Sequence, residues 1–152
     1  MGVHYIAWHA TASGVEDEFV IADAMSWLVG NNEIVEIEET SSYYGSNLHV
    51  ITAELKSKGA ATKSLQRLGP DALEEILSTL EQRIDDEKTI HIRLDLHDLI
   101  SGKINLADVG NRPTIKGKTK LQVYPGDDVL EVANKTLKKA IKDALHLRLP
   151  EK

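Results

Sequence analysis

Apolar and polar residues alternate with the two-residue period of a β-strand in several parts of the chain. Residues 34–40 alternate apolar and acidic side chains, and residues 48–56 return as a second strand after a turn, which together predict a β-hairpin. Residues 3–12, rich in aromatic and β-branched side chains, predict an earlier strand. The first third of the chain therefore contributes three strands to a sheet.

Between the first strand and the hairpin, the apolar spacing changes to that of a helix. Ser13 is the predicted N-cap, and the predicted apolar stripe is Val15, Phe19, Ala22, Met25 and Val29. Two further helices are predicted over residues 59–68 and 71–84, with Pro70 at the first position of the second one.

The second half of the chain returns to strands and ends in a helix. Residues 89–95 and 114–124 alternate as strands, and residues 103–107 are a short predicted strand. An amphipathic helix is predicted over residues 128–147. We find no linker and no repeat, so the sequence predicts one α+β domain over residues 1–152, with a mostly antiparallel sheet covered by helices.

Composition narrows the possible chemistry. At 152 residues, with 41% hydrophobic and 28% charged residues, the chain is typical of a globular protein with its own core. The absence of Cys excludes disulfides, thiolate metal sites and Cys nucleophiles. No apolar run approaches the roughly 20 residues of a membrane span, and no phosphate-binding loop or nucleophile elbow occurs. We therefore expect a cytoplasmic protein without catalytic residues and without a cofactor.

Charge is divided unevenly along the chain. The first 55 residues contain nine acidic residues and no Lys or Arg, whereas all 18 Lys and Arg lie from Lys56 onward with the other 15 acids. The two parts carry formal charges of −9 and +3, which sum to −6. A net-acidic protein binds polyanions poorly unless its basic residues form a local surface.

Two such basic surfaces are predicted. Lys116, Lys118 and Lys120 share one face of the strand 114–124, with Arg112 just upstream. A secondary basic face on the last helix consists of Lys135, Lys138, Lys139 and Lys142. Either surface could follow a phosphate backbone. The spacing alone favours the structural alternative, in which the strand lysines form a solvated face that protects a sheet edge and the helix lysines are matched to the helix dipole.

Three other features have a functional and a structural interpretation. Tyr43 and Tyr44 at the hairpin tip could stack on unpaired bases, or could pack within the turn. The cluster Asp85-Asp86-Glu87 lacks the spacing of a cation-binding loop and is interpreted as a solvated connection. The six His residues show no metal-ligand spacing, so no metal site is predicted.

The order of several short motifs resembles an archaeal family of RNA-binding proteins that are also predicted to be exosome-associated subunits. The matching pairs are His9 and Thr11, Tyr44 and Gly45, and Arg93 and Asp95, in a pattern that covers most of residues 3–124. The chain departs from the family pattern at Ala12-Ser13-Gly14, where an acidic residue is expected. It departs again at Leu96-His97, where lysine and glutamine are expected, and this removes one possible phosphate contact.

The resemblance implies a curved, mostly antiparallel sheet covered by helices, similar to the large-subunit ribosomal protein that binds the smallest ribosomal RNA. It also implies a non-catalytic protein that binds RNA by backbone and shape, near the RNA-processing or degradation machinery. The predicted RNA-binding residues are Arg93, Arg112, Lys116, Lys118, Lys120, Tyr43 and Tyr44. The alternative is an assembly module without RNA affinity, in which the acidic and basic halves pair between copies or with a protein partner.

Overall fold

An antiparallel sheet forms one layer of the molecule, and helices cover one of its faces. The computed structural model describes residues 2–13, 17–41, 47–107 and 113–148. The elements in chain order are β1 Gly2–Ser13, α1 Glu18–Val29, β2 Glu36–Ser41, β3 Asn47–Leu55, α2 Lys58–Gln66, α3 Pro70–Ser78, α4 Leu80–Arg83, β4 Thr89–Asp95, α5 Leu96–Ile100, β5 Thr114–Gln122 and α6 Val129–Arg148.

The strands are ordered β2-β3-β1-β5-β4, and each neighbouring pair is antiparallel. The hairpin β2–β3 therefore lies on one side of β1, and the pair β5–β4 lies on the other. Strands from the acidic first part of the chain form one half of the sheet, and strands from the basic second part form the other half.

The two faces of the sheet differ in burial. The covered face carries the apolar positions of each strand, including Ile6, Trp8, Ile51, Ile92 and Ile115, and all of these are buried. Helices α1, α2 and α6 pack against this face and join the same core. The opposite face, called here the open face, carries the alternate positions, and most of these are exposed or half-buried.

Trp8 is the largest side chain of the buried core, and it joins three elements. Its indole Nε1 donates to Ser64 Oγ on α2 at 3.0 Å, and the Ser64 hydroxyl donates to the carbonyl of Leu28 on α1 at 2.6 Å. The indole lies over Gly117, the cross-strand partner of Trp8 on β5. A Cβ at position 117 would lie 2.5 Å from Trp8 Cζ3, so only glycine leaves room for the ring there.

Most of the predicted architecture is confirmed. The strands β1 to β5, the hairpin, the helix start at Pro70 and the final helix all form, and the α+β class with an antiparallel sheet is as predicted.

Four details of the prediction are wrong. Ser13 is the last residue of β1 and pairs with Leu48 on β3, and the N-cap of α1 is Asp17, whose side chain accepts from the Phe19 amide at 2.9 Å. Since α1 begins at Glu18, its buried stripe is Ile21, Met25, Leu28 and Val29, and Phe19 is exposed.

The other two differences lie in the second half. The predicted helix 71–84 is divided at Thr79, where the backbone leaves helical geometry with φ −116° and ψ 22°. The Thr79 hydroxyl donates to the Glu75 carbonyl and accepts from Arg83 Nε at this break. Residues 103–107 do not form a full strand: Leu106 makes an isolated bridge to Leu94 at the end of β4.

We predict that Gly117→Ala lowers the free energy of unfolding by about 1–3 kcal/mol, because the new methyl group overpacks the site that the Trp8 ring fills. Gly59→Ala is the matched control, since nothing lies within 4 Å of its Cβ position and it sits in helix α2. Alanine favours a helix over glycine, so this control should not lose stability. Urea unfolding of both variants tests this, and equal stabilities would contradict the close approach of Trp8 and Gly117.

Candidate nucleic-acid interface

The strand register brings cationic side chains from two strands together on the open face. Lys116 on β5 is the cross-strand partner of both His9 on β1 and Arg93 on β4. One step along β5, Lys118 is the partner of Ala7 and His91. Paired residues in antiparallel strands point to the same face, so these side chains form two adjacent rows.

The same two rows become acidic on the other side of β1. His9 pairs with Thr52 on β3, which pairs with Glu36 on β2. In the second row, Ala7 pairs with Glu54 on β3. The open face is therefore polarised, with acidic side chains over β2 and β3 and cationic side chains over β5 and β4.

Both halves of this face line one cavity of about 1020 Å³. Among the residues that the structure describes, its charged lining consists of four cationic side chains and three acidic ones: Lys56, Arg93, Lys116, Lys118, Glu33, Glu36 and Glu54. His9 and His91 also line it. Lys116 and Lys118 are exposed and Arg93 is half-buried, so all three can contact a ligand in the cavity. We call Arg93, Lys116 and Lys118 the cationic wall, and Glu36 and Glu54 the acidic wall.

Lys120 and His91, on the basic half of the open face, are held by hydrogen bonds next to the cavity. Lys120 Nζ donates to the backbone carbonyl of Glu87, so this predicted RNA-binding residue is tied to the turn before β4. His91 Nε2 lies 2.6 Å from Asp85 Oδ2, which fixes the ring beside Lys118.

Asp85 organises that turn. Its hydrogen bond to His91 is the main cause that lowers the pKa of its carboxyl group, and the amides of Thr89 and Glu87 add to the effect. The role of Asp85 is therefore to cap the connection between α4 and β4 and to orient His91.

The predicted secondary basic face lies elsewhere. Lys135, Lys138, Lys139 and Lys142 are exposed on α6, which packs with α2 and α3 on the covered side of the sheet. Lys135 and Lys139 border a separate cavity of about 280 Å³ whose lining also includes Asp127, Asp128, Glu131 and Asp143. The lysines of β5 and of α6 therefore do not form one continuous surface, because the sheet lies between them.

The remaining predicted residues, Tyr43, Tyr44 and Arg112, lie outside the described residues. The sequence alone does not indicate that His9, His91, Thr52 and the acidic wall belong to the same site. Alternation could place each of them on the polar face of its own strand, but only the register between non-consecutive strands shows that they share a cavity.

Within the described ranges, we find no group of three or more His, Asp or Glu side chains arranged to hold a metal ion. In the same part of the chain, none of the helices is both long enough and apolar enough to span a bilayer.

Comparison with known proteins gives a family and a fold. A sequence model of the family described as RNA binding matches residues 5–121. The structure is similar to Mth689, a DUF54 protein from Methanothermobacter thermautotrophicus, with a TM-score of 0.73 and 23% identity over 91% of this chain and 98% of that one. It is also similar to the DUF54 protein AF2318 from Archaeglobus fulgidus, with a TM-score of 0.70 and 29% identity over 90% and 99% of the two chains.

A more distant neighbour is a UPF0201 protein from Methanococcus jannaschii, with a TM-score of 0.58 and 14% identity over 88% of this chain and 98% of that one. No curated protein matches the chain. The predicted likeness to an archaeal RNA-binding family is thereby confirmed, whereas the likeness to a ribosomal protein stays a prediction.

We predict that Asp85→Asn lowers the free energy of unfolding at pH 7 by less than about 1 kcal/mol, because both partners are substantially exposed. A carboxylate with a lowered pKa stabilises the fold above its unfolded pKa of about 3.9, and this contribution is lost as the pH falls through the folded value. The difference from wild type should therefore vanish in strong acid. Urea unfolding across this pH range measures it.

Asp86→Asn is the matched control, because Asp86 is an exposed neighbour and the charge change is identical. Its stability should follow that of wild type at every pH. A deficit of Asp85→Asn that persists undiminished in strong acid would show that the carboxylate charge is not what stabilises the turn.

Proposed function

Because this chain belongs to the RNA-binding family, we propose that it binds RNA, without catalysis, through the open face of the sheet. This proposal rests on the strand register, which pairs Lys116 with Arg93 and places Lys118 beside them in one cavity. The proposed contact is the sugar–phosphate backbone, held along the cationic wall.

The chemistry of the cationic wall suits phosphate groups. Arg93 offers a planar guanidinium that can donate two parallel hydrogen bonds to one phosphate, while the lysines act as point charges. Residues two apart on a strand are about 7 Å apart, so Lys116 and Lys118 present successive charges along β5 rather than a single one. Such an arrangement supports recognition of backbone and shape more than of sequence.

The net charge of −6 disfavours nonspecific binding of RNA over the protein surface as a whole. The electrostatic interaction between the whole protein and RNA is repulsive, because both are negatively charged. The affinity must therefore come from local contacts that release counterions. Binding should therefore weaken steeply as salt rises. We place this activity in RNA processing or degradation in the cytoplasm, with an exosome-like complex as the proposed protein partner.

A protein-binding role is the second candidate, and exposed apolar side chains on α1 and α5 favour it. Phe19 and Trp27 on α1 are 66% and 52% exposed, and Ile100 on α5 is 40% exposed. Val20, Trp27 and Ile100 line a groove between these helices. A second copy or another protein could cover this surface while the open face remains available to RNA.

We predict that replacing Lys116 and Lys118 by Glu reduces RNA affinity at least about 100-fold at low salt, because two attractive phosphate contacts become repulsive. Fluorescence anisotropy with a labelled single-stranded RNA at two salt concentrations measures this. In the matching double Gln variant, each lost contact should reduce the slope of log affinity against log salt by about 0.7.

Lys138→Glu with Lys142→Glu is the matched control, since it changes the net charge equally but lies on the covered side of the sheet. Its affinity should remain within about threefold of wild type, the effect of long-range charge alone. If instead the α6 variant loses binding and the β5 variant keeps it, the secondary basic face is the binding surface and the open face is not.

A further inference from the structure

We propose that the acidic wall recognises the edges of unpaired bases that carry amino groups, so the preferred ligand is single-stranded RNA containing cytosine rather than uracil. This inference rests on the proposed function, because it assumes that the RNA backbone occupies the cationic wall. It adds a base-reading site on the opposite side of the same cavity.

The geometry places the two walls across one ligand. Glu36 and Lys116 belong to the same cross-strand row and are separated by β3 and β1, which is about 14 Å between their backbones. Both side chains line the same cavity, so each can reach inward from its own side. A nucleotide held by its phosphate near Lys116 would extend its base toward β2 and β3.

Thr52 and His9 form the floor between the walls. They are paired with each other, and both line the cavity. An imidazole ring on this floor provides a surface on which a base can stack. The row therefore offers, in order, a cation for the phosphate, a ring for the base and a carboxylate for the base edge.

Charge determines which base edge the acidic wall accepts. A carboxylate only accepts hydrogen bonds, so it repels phosphate and requires a donor. Cytosine presents an amino donor on its edge, and pairing of Glu or Asp with that group is an established mode of base recognition. Uracil presents two carbonyl oxygens on either side of its single N–H, and these oxygens would face the carboxylate unfavourably.

The acidic wall requires unpaired RNA as its ligand, because unpaired bases leave their edges accessible to side chains. In a duplex the cytosine amino group is engaged in pairing, and the major groove of A-form RNA is too narrow for side chains to read. A cavity on a sheet face suits a single strand whose bases turn toward the protein.

Glu36 and Glu54 are free to make such contacts. In the described part of the chain, neither carboxylate has an ion-pair or hydrogen-bond partner. Acidic residues on an edge strand also prevent sheet-edge aggregation, and this role suffices for Glu38 and Glu39, which are exposed and do not line the cavity. It does not account for Glu54, which lies on β3, an interior strand.

The test compares two RNA homopolymers of about 12 nucleotides, oligocytidylate and oligouridylate, by anisotropy at neutral pH and one salt concentration. We expect wild type to bind oligocytidylate about tenfold more tightly, the effect of one specific base contact. Glu36→Gln with Glu54→Gln should reduce this ratio to about threefold or less, because an amide can also donate to uracil. Its affinity for oligouridylate should stay equal or rise, since two repulsive charges are removed.

Glu74→Gln with Glu75→Gln is the matched control, because both residues are exposed on α3 and the charge change is the same. This control should keep the wild-type ratio. Salt-dependent binding with equal affinities for the two RNAs would overturn base reading and leave the proposed function intact, as would a ratio that the Glu36 and Glu54 substitutions do not change. Failure to bind either RNA at low salt would overturn both proposals.

Discussion

The close packing of Trp8 against Gly117 is the constraint on which the arrangement of the open face depends. The indole fills the space that a side chain at position 117 would occupy, and its Nε1 is anchored by Ser64 on α2. Shifting β5 by one residue would place a lysine under the ring and turn every side chain of the strand to the other face. The buried side of the sheet thereby determines that Lys116 lies between His9 and Arg93 on the exposed side.

This register also explains the uneven distribution of charge along the chain. The acidic first part supplies β2 and β3, the basic second part supplies β4 and β5, and β1 separates them. The uneven charge along the chain therefore places acidic and cationic side chains on opposite sides of one cavity. The cationic wall is suited to phosphate groups, and the acidic wall is suited to hydrogen-bond donors on bases. The lysines of α6 take no part in it, because they lie on the other side of the sheet.

Local patterns in the sequence were sufficient for the elements and for one wall of the site. Alternation along 114–124 places Lys116 and Lys118 on one face without any knowledge of their neighbours. The pairing of β1 with β5 joins segments about a hundred residues apart, and no local pattern encodes it. The N-cap of α1 cannot be predicted locally for a similar reason: Ser13 is a good cap by residue type, but its pairing with β3 holds it in β1, and Asp17 is the cap instead.

Lysine footprinting tests most directly whether RNA occupies the open face. The protein is acetylated briefly with and without saturating single-stranded RNA, and the modification of each lysine is measured by mass spectrometry. If RNA lies along the cationic wall, it protects Lys116 and Lys118 from acetylation, while Lys138 and Lys142 on α6 react equally in both samples. Protection of the α6 lysines, with Lys116 and Lys118 unchanged, would contradict binding at the open face.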